Sequence, residues 1–306
     1  MKKNFQIWKR LGLIFKTLNL NWSKTHSMLP TPFRLSAHNY RIFFGTRNIK
    51  NQSSIGFFDF DFKNFKIKNK SKKKSFDVGE LGSFDDNGVL PSSIIKHNKK
   101  TYLFYIGWRP GGSTRYSLIA GIAKMSNKGI NFNRLQKYPI LKLSNREPYS
   151  ILTAPHVIKI ENNKFYMWYV SCEKWLNKDL PLYNIKLATS KNLIDWNQTK
   201  KVCIKLKKNE RAVARPFVLK ENNIFKMWYS YEKLGETYKI GYAESKNGIK
   251  WKRLDDKIKF SGQIQRWEKD MTAYSAIITV NNKKFMLYNG NNYGKSGIGL
   301  AELINN

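Results

Sequence analysis

The chain is poor in the residues on which several common kinds of protein depend. Its 306 residues include only 2 cysteines and 4 histidines, so neither a disulfide framework nor a zinc-ligand spacing is present. No segment shows a sustained helical period, which argues against helical bundles and solenoids. The first 22 residues are interrupted by Lys9, Arg10 and Lys16 and predict neither a signal peptide nor a membrane span. We therefore expect a cytoplasmic protein.

Acidic residues are also scarce. The chain has 21 Asp and Glu against 56 Lys and Arg, a formal net charge of +35. The Lys residues lie in turns and tails, such as 68–74 and 205–208. Codon bias that fills solvated positions with Lys is one interpretation, and attraction to an anionic glycan or a phospholipid surface is the other. No nucleic-acid-binding motif accompanies the charge, so nucleic acid is not an expected partner.

What the chain does have is a pattern that repeats. Five apolar triplets rich in aromatic residues occur along it, and the clearest two, Met167-Trp168-Tyr169 and Met227-Trp228-Tyr229, lie 60 positions apart. The weaker copies are Ile42-Phe43-Phe44, Leu103-Phe104-Tyr105 and Met286-Leu287-Tyr288. Self-similarity at a fixed period is typical of repeat architectures.

Each repeat is predicted to form short strands separated by turns. In the fourth repeat, strands at 213–219, 224–231 and 238–245 are rich in β-branched and aromatic residues, and a turn then leads to a short outer strand at 249–251. Four antiparallel strands per repeat are typical of a propeller blade. The sequence therefore predicts an all-β chain forming one five-bladed β-propeller of four-stranded antiparallel blades, at 26–65, 84–135, 147–197, 210–254 and 268–304.

The fifth repeat lacks an outer strand at its end. An apolar stretch within residues 9–18 precedes the first repeat and is predicted to supply that strand. This pairing would close the ring, since an open ring leaves exposed strand edges.

A propeller also predicts where a functional site lies. The first strand of each blade lines the central channel and the second runs back antiparallel, so the start of one and the end of the other share a face. Despite their scarcity, acids stand beside the start of each inner strand from the second repeat onward. The predicted site comprises the strand starts His26, Asp85, Asp86, Glu147, Glu210, Glu268 and Asp270, and the second-strand ends Arg47, Trp108, Arg109, Trp175, Tyr231, Asn289 and Asn291.

Carboxylates beside Trp and Arg fit glycan chemistry. One carboxylic acid protonates the leaving oxygen, and a second carboxylate acts as nucleophile or base. Aromatic faces suit sugar rings, while Arg and Asn bind hydroxyls, carboxylates or phosphates. We predict Asp86, Glu147 and Glu210 as catalytic residues, the others as substrate-binding residues, and no metal ligand. The opposing interpretation is that the acids cap strand starts or pair with neighbouring Lys and Arg.

Five motifs spread over nearly the whole chain carry a resemblance to known proteins. They are Ser27-Met28-Leu29-Pro30-Thr31, Phe84-Asp85-Asp86-Asn87-Gly88-Val89-Leu90-Pro91, Tyr105-Ile106-Gly107-Trp108, Ala214-Arg215-Pro216 and Leu287-Tyr288-Asn289-Gly290-Asn291. With these motifs the chain resembles the five-bladed propellers of the glycoside hydrolase superfamily that includes arabinanases, β-xylosidases, levansucrases and invertases (families 43, 68 and 32). It is more similar still to an uncharacterised bacterial branch associated with surface-polysaccharide genes. Arg215 is also predicted to bind substrate.

The resemblance implies carbohydrate-active chemistry in the channel, with Ca²⁺ there in some relatives. The family pattern places an Asp in blade one, an Asp in blade two and a Glu in blade three. Here blade one offers His26, whereas Asp86 and Glu147 fall near the other two positions. The reactive pair can instead be Asp86 with Glu210, or Glu210 with Asp270.

Three functions are consistent with the sequence. The first is a glycosidase or transglycosidase acting on a bacterial surface glycan, and the second is a non-catalytic glycan-binding propeller. The third is a glycosyl-transfer enzyme of polysaccharide assembly. No Gly-rich phosphate cradle or Asp-x-Asp metal pair supports the third. In each case the expected partner is an oligosaccharide or polysaccharide, which the net charge suggests is anionic.

Overall fold

The computed structural model describes residues 5–126 and 129–305. Within them the regular secondary structure is almost entirely strand, with one 3-10 turn, Asp255–Lys257, and one short helical turn, α1, Asn291–Gly294. The strands are β1 Gln6–Phe15, β2 Thr25–Arg34, β3 Asn39–Arg47, β4 Ser53–Asp61, β5 Lys66–Lys70, β6 Gly88–His97, β7 Lys100–Pro110, β8 Tyr116–Met125, β9 Phe132–Arg134, β10 Ile151–Glu161, β11 Lys164–Asn177, β12 Leu180–Ser190, β13 Asn197–Ile204, β14 Glu210–Glu221, β15 Ile224–Lys233, β16 Lys239–Ser245, β17 Lys252–Arg253, β18 Ile258–Ser261, β19 Ala273–Val280, β20 Lys283–Asn289 and β21 Ile298–Asn305.

Sequential strands pair as antiparallel meanders. β2 to β5, β6 to β9, β10 to β13 and β14 to β17 each form one such group. The first strands of the groups, β2, β6, β10 and β14, contact one another in sequence, and β19 contacts both β14 and β2. These inner strands therefore form a closed ring around a central channel. We call the face where the inner strands begin the mouth face.

The ring is completed by strands from both ends of the chain. β1 pairs antiparallel with β21, from Ile7↔Asn305 to Phe15↔Ile298, at the predicted location of the closing strand. It begins three residues earlier than the predicted stretch 9–18. β18 adds a parallel strand on the other side of β1, which the repeat pattern did not predict. Trp8 of β1 is fully buried between these neighbours.

The aromatic triplets fill the space between neighbouring groups of strands. Their middle residues are all buried, namely Phe43, Phe104, Trp168, Trp228 and Leu287. Edge-to-face contacts continue the packing outward, as between Trp168 and Trp251, whose ring centroids lie 5.8 Å apart. No helix among the described residues is long and apolar enough to cross a membrane.

All five inner strands carry a bulge, and in four of them a residue at the bulge has positive φ. Leu29, Ala154, Arg215 and Tyr274 have φ between 48° and 58°, and the pairing register shifts beside each of them. A bulge bends the strand and changes the direction of the side chain it carries. At Arg215 this turns a long cationic side chain into the channel.

Candidate functional site at the mouth of the channel

Most of the predicted acids are held inside the sheets rather than gathered in the channel. Glu147 accepts hydrogen bonds from the Tyr169 hydroxyl at 3.0 Å, from Ser171 Oγ at 2.7 Å and from Gln198 Nε2 at 2.6 Å. Lys186 Nζ completes an ion pair at 3.3 Å. With only 1% of Glu147 exposed, every contact joins it to strands of its own sheet.

The same arrangement recurs in other repeats. The last Tyr of a triplet donates to an acid, and a cation from an outer strand pairs with that acid. Tyr105 and Arg134 hold Asp85 at 3.0 and 2.8 Å, and Tyr288 and Arg10 hold Glu268 at 2.7 and 3.2 Å.

In the fourth repeat the arrangement is divided between two acids. Arg253 holds Glu210 at 2.7 and 2.8 Å, while the Tyr229 hydroxyl donates to Asp255. The structure therefore does not bring Asp85, Glu147, Glu210 and Glu268 together, because each neutralises a cation between strands of its own repeat.

Asp86 is placed differently from its neighbour Asp85. Its carboxylate accepts a hydrogen bond from the Gly82 amide at 2.9 Å, and no Lys or Arg in the described parts of the chain forms an ion pair with it. Asp86 is partly exposed and lies just before β6, whose first residue, Gly88, pairs with Trp108. It therefore lies on the mouth face with its charge uncompensated by a close cation.

Cationic side chains surround the mouth near His26. Thr25 pairs with Arg47, whose guanidinium lies 5.9 Å from the ring centroid of Trp108. Burial, Arg47 and Lys295 lower the pKa of His26 to about 4, so the imidazole is neutral at pH 7. Burial also lowers the pKa of Arg47, and Arg115 adds to this. Among the described residues Arg47 has no acidic partner, and its Nε is buried without a hydrogen bond.

A second wall of the mouth pairs an acid with an arginine. Glu232 and Arg211 form a two-point ion pair at 2.8 and 2.6 Å. Burial raises the pKa of Glu232, although Arg211 opposes this. Five tyrosines interact electrostatically around this wall: Tyr116, Tyr183, Tyr238, Tyr274 and Tyr293. The Tyr183 and Tyr238 hydroxyls lie 2.6 Å apart.

Two long hairpins provide the aromatic side of the mouth. The ring of Trp175 on β11 meets that of Tyr116 on β8 edge-on, with centroids 5.7 Å apart. The Arg115 amide donates to the Lys178 carbonyl at 2.8 Å, which holds the two hairpins together. Both rings are partly exposed, so they offer apolar faces at the mouth.

Arg215 fills the channel below the mouth. Its Nη2 donates to Thr31 Oγ1 at 3.0 Å and its Nη1 to Ser92 Oγ at 3.2 Å, so it joins the inner strands of the first two repeats. Only 1% of the residue is exposed, and burial lowers its pKa to about 9. Deeper still, His156 Nε2 donates to the Val218 carbonyl at 3.0 Å. Arg215 therefore closes the channel rather than reaching substrate directly.

The remaining predicted binding residues have structural contacts. Asn289 is buried, accepts from the Leu29 amide at 2.8 Å and donates to the Gly297 carbonyl at 2.9 Å. Asn291 and Asp270 bond to each other at 3.0 Å. The Arg253 guanidinium lies 5.7 Å from the ring centroid of Tyr231. Exposed Arg109 donates to the Gly82 carbonyl at 3.4 Å.

The sequence placed Arg211 and Glu232 on the predicted site face beside Glu210 and Tyr231, but it did not select them as site residues, and it did not identify the tyrosines of this wall. Successive side chains of a strand point to opposite faces, so in Glu210-Arg211 and Tyr231-Glu232 one residue faces the mouth and the other faces the sheet interior. The predicted residue of each pair was the one that faces inward. Tyr183 and Tyr238 lie at the starts of the predicted third strands of two successive repeats, so the repeat pattern could have identified them.

A metal site of side-chain carboxylates does not fit this mouth. In the part of the chain that the structure describes, no three His, Cys, Asp or Glu side chains lie close enough to share an ion.

Comparisons with known proteins find relatives in sequence and in fold. No family model matches it. It is 31% identical over 303 residues to Uncharacterized protein Rv1502 of Mycobacterium tuberculosis (strain ATCC 25618 / H37Rv), covering 97% of this chain and 99% of the relative. A shorter similarity, 31% over 136 residues and 44% of each chain, links it to a 1,2-beta-oligomannan phosphorylase of Thermoanaerobacter sp. (strain X514).

Solved structures share the fold at low sequence identity. A thermostable family-43 glycoside hydrolase superposes with a TM-score of 0.66 at 16% identity, covering 93% of this chain and 90% of that one. A structure from the GH130 family of mannoside phosphorylases and glycoside hydrolases that target beta-1,2 mannosidic linkages gives a TM-score of 0.70 at 14% identity, covering 97% and 94%. The chain therefore belongs to the same family as Rv1502 of Mycobacterium tuberculosis, and it shares its fold with solved glycoside hydrolases.

Proposed function

We propose that this protein is a glycosidase-like enzyme in which Asp86 donates a proton to the leaving oxygen of a glycosidic bond at the mouth. One observation carries the proposal. Of the three predicted catalytic carboxylates, Glu147 and Glu210 lie in buried ion pairs, whereas Asp86 is partly exposed and unpaired within the described residues. A general acid must exchange its proton with substrate, and a carboxylate locked to a cation inside a sheet is poorly suited to that.

The walls of the mouth suit a carbohydrate with an anionic group. Trp175 and Tyr116 offer apolar faces for sugar rings, and Arg47 and Arg115 offer charged donors for hydroxyls, carboxylates or phosphates. Neutral His26 can donate or accept a hydrogen bond there. In this proposal Glu147 and Glu210 stabilise their sheets.

The proposal also assigns the strands to five blades. Four blades are the meanders that begin with β2, β6, β10 and β14, and the fifth comprises β19, β20 and β21 with β1 and β18. This last blade would have five strands instead of the four that the repeat predicts. A cytoplasmic location stays a prediction from the sequence.

The test is a turnover assay on manno-oligosaccharides with β-1,2 linkages, alongside arabinan, xylan and fructan oligosaccharides. These substrates are chosen from the activities named for the relatives and for the resembling families. We expect wild-type protein to release product from at least one of them and Asp86→Asn to release none. Binding without product would instead support a glycan-binding propeller.

Phosphorolysis is a second candidate, favoured by the charges at the mouth. Phosphorolysis needs one protein acid, since a phosphate oxygen attacks the anomeric carbon, the glycosidic C–O bond breaks and the leaving oxygen takes the acid's proton. The mouth supplies Asp86 as the acid and Arg47, Arg115 and Lys295 as cations that suit phosphate. Formation of a sugar 1-phosphate only when inorganic phosphate is added would select this reaction, and release of free sugar without phosphate would exclude it.

A further inference from the structure

The loops of the mouth face carry exposed apolar side chains at their tips. Ile49, Leu81, Leu176, Leu234, Ile264 and Tyr293 are each between 46% and 100% exposed. They come from loops around the whole ring: the β3–β4 turn, the β5–β6 loop, the β11–β12 hairpin, the β15–β16 hairpin, the β18–β19 loop and the β20–β21 turn. A circle of apolar tips on one face is unusual for a surface that meets only water.

Cations accompany these tips. Lys50 follows Ile49, Lys178 lies two residues after Leu176, and Arg266 lies two residues after Ile264, and all three cations are exposed. Lys233 precedes Leu234, and Lys295 follows Tyr293 by two residues. Beside Leu81, Arg109 Nη1 donates to the Gly82 carbonyl at 3.4 Å.

The opposite face has fewer exposed apolar side chains at its loop tips. Its loops carry Leu35, Phe65 and Ile130, between 39% and 50% exposed, and Ile304 near the end of β21 is 53% exposed there. It is nevertheless cationic, with exposed Lys96, Lys99 and Lys100 around the β6–β7 turn. Charge is thus common to both faces, whereas a ring of apolar tips combined with cations distinguishes the mouth face.

We propose that the mouth face docks on the surface of an anionic lipid bilayer. The tips of a propeller face lie around a circle and can enter a planar interface together, while a single glycan or peptide chain would touch only a few of them. Leu and Ile tips enter the boundary between headgroups and acyl chains, and Tyr suits the same depth. Flanking Lys and Arg side chains are attracted to anionic headgroups. Docking in this way would hold the mouth over glycan carried on lipid.

Vesicle sedimentation tests the proposal. Wild-type protein is expected to sediment with phosphatidylcholine vesicles that contain phosphatidylglycerol, and much less with pure phosphatidylcholine. The triple variant Leu81→Ser, Leu176→Ser, Leu234→Ser should weaken partitioning by at least about tenfold. The matched control, Leu35→Ser, Phe65→Ser, Ile130→Ser, changes as many exposed apolar side chains on the opposite face and should bind as wild type does.

Two charge-reversal variants measure the electrostatic contribution to vesicle binding. Lys50→Glu, Lys178→Glu, Arg266→Glu on the mouth face should reduce binding to anionic vesicles more than Lys96→Glu, Lys99→Glu, Lys100→Glu on the other face. Equal effects of the two faces, or no sedimentation of the wild type, would overturn the proposal. So would a wild-type dimer that the Leu→Ser mouth variant converts to a monomer, since the tips would then be a contact between copies.

The docking proposal does not depend on the proposed chemistry. Asp86→Asn is expected to bind vesicles as the wild type does, and the mouth-face Leu→Ser variant is expected to bind vesicles poorly whether or not a glycan is turned over. Loss of turnover and loss of docking are therefore separate results. All of the substituted side chains are exposed, and a far-ultraviolet circular dichroism spectrum checks that each variant is folded.

Discussion

Glu210 and Arg253 form a two-point ion pair, with Glu210 Oε2 2.7 Å from Arg253 Nη1 and Oε1 2.8 Å from Nη2. This relationship joins the start of an inner strand, β14, to the short outer strand β17 of the same sheet group. Arg253 also reaches Asp255 at 2.9 Å, so one guanidinium serves two carboxylates. Glu210, which the sequence predicted as catalytic, is thus part of an ion-pair cluster inside its own sheet.

Glu210→Gln is expected to lower the free energy of unfolding, because removing one partner of a buried ion pair leaves the other undercompensated, at a cost of about 3–5 kcal/mol. The retained Arg253–Asp255 contact keeps the loss at the lower end of that range. Urea denaturation measures it. Glu161→Gln is the control, since Glu161 pairs with Lys164 at the surface, and its loss should stay below about 0.5 kcal/mol. Equal effects of the two substitutions would contradict a stabilising role for Glu210.

Asp86→Asn, in contrast to Glu210→Gln, is expected to lower activity without lowering stability. Among the described residues the Asp86 carboxylate has the Gly82 amide as its hydrogen-bond donor, and Asn can still accept that bond, so the melting temperature should stay unchanged. Loss of a general acid should lower kcat at least about 100-fold. Glu147→Gln provides the contrast, with lowered stability because four side chains converge on that carboxylate. Full activity of Asp86→Asn on a confirmed substrate would remove Asp86 from the proposed mechanism.

Stability should fall as the pH falls below neutrality, and His156 should account for part of the fall. Burial and nearby Arg215 lower the pKa of His156 from 6.5 to about 3. Below pH 6.5 the unfolded chain binds a proton at this residue and the folded chain does not, so acidification favours unfolding. The contribution is about 1.4 kcal/mol per pH unit, or roughly 2 kcal/mol between pH 6.5 and 5. His26, whose pKa is lowered to about 4, acts in the same direction.

His156→Gln removes the titrating group and keeps a donor for the Val218 carbonyl, so urea denaturation across this pH range should show a shallower slope than in the wild type. Ser93→Ala is the control, because Ser93 Oγ bonds the Pro155 carbonyl at 3.0 Å beside His156 and does not titrate. A slope that changes equally in both variants would mean that altered packing is responsible.

The repeat period predicted the architecture well because it reflects packing. The triplets are buried in every repeat, and the strands they belong to are those expected, as with Met227-Trp228-Tyr229 in β15. The outer strands were predicted less well, since they are short and half exposed. The predicted outer strand at 249–251 is not a strand, and β17 comprises only Lys252–Arg253.

The site was harder to predict because position along a strand does not fix the direction of a side chain. Asp85 and Asp86 are adjacent, yet one pairs with Tyr105 and Arg134 inside the sheet and the other faces outward. The bulge at Arg215 likewise turns that side chain into the channel, and no residue type in Ala214-Arg215-Pro216 indicates a bulge. Long-range partners such as Arg10 with Glu268 depend on ring closure and are invisible to a local pattern.

Ring closure by the N-terminal strand leads to the last prediction. Trp8 is fully buried between β21 and β18, at the positions Leu303 and Phe260. Trp8→Ala should cost about 3–5 kcal/mol, the range for removing a large buried aromatic side chain. Leu13→Ala lies on the same strand with 40% of its surface exposed, and it should cost less than about 1 kcal/mol because little of the side chain leaves water. Thermal and urea unfolding of both variants measure the difference. A Trp8→Ala protein as stable as the wild type would show that β1 does not close the ring, because an open ring would already lack the contacts that Trp8 makes.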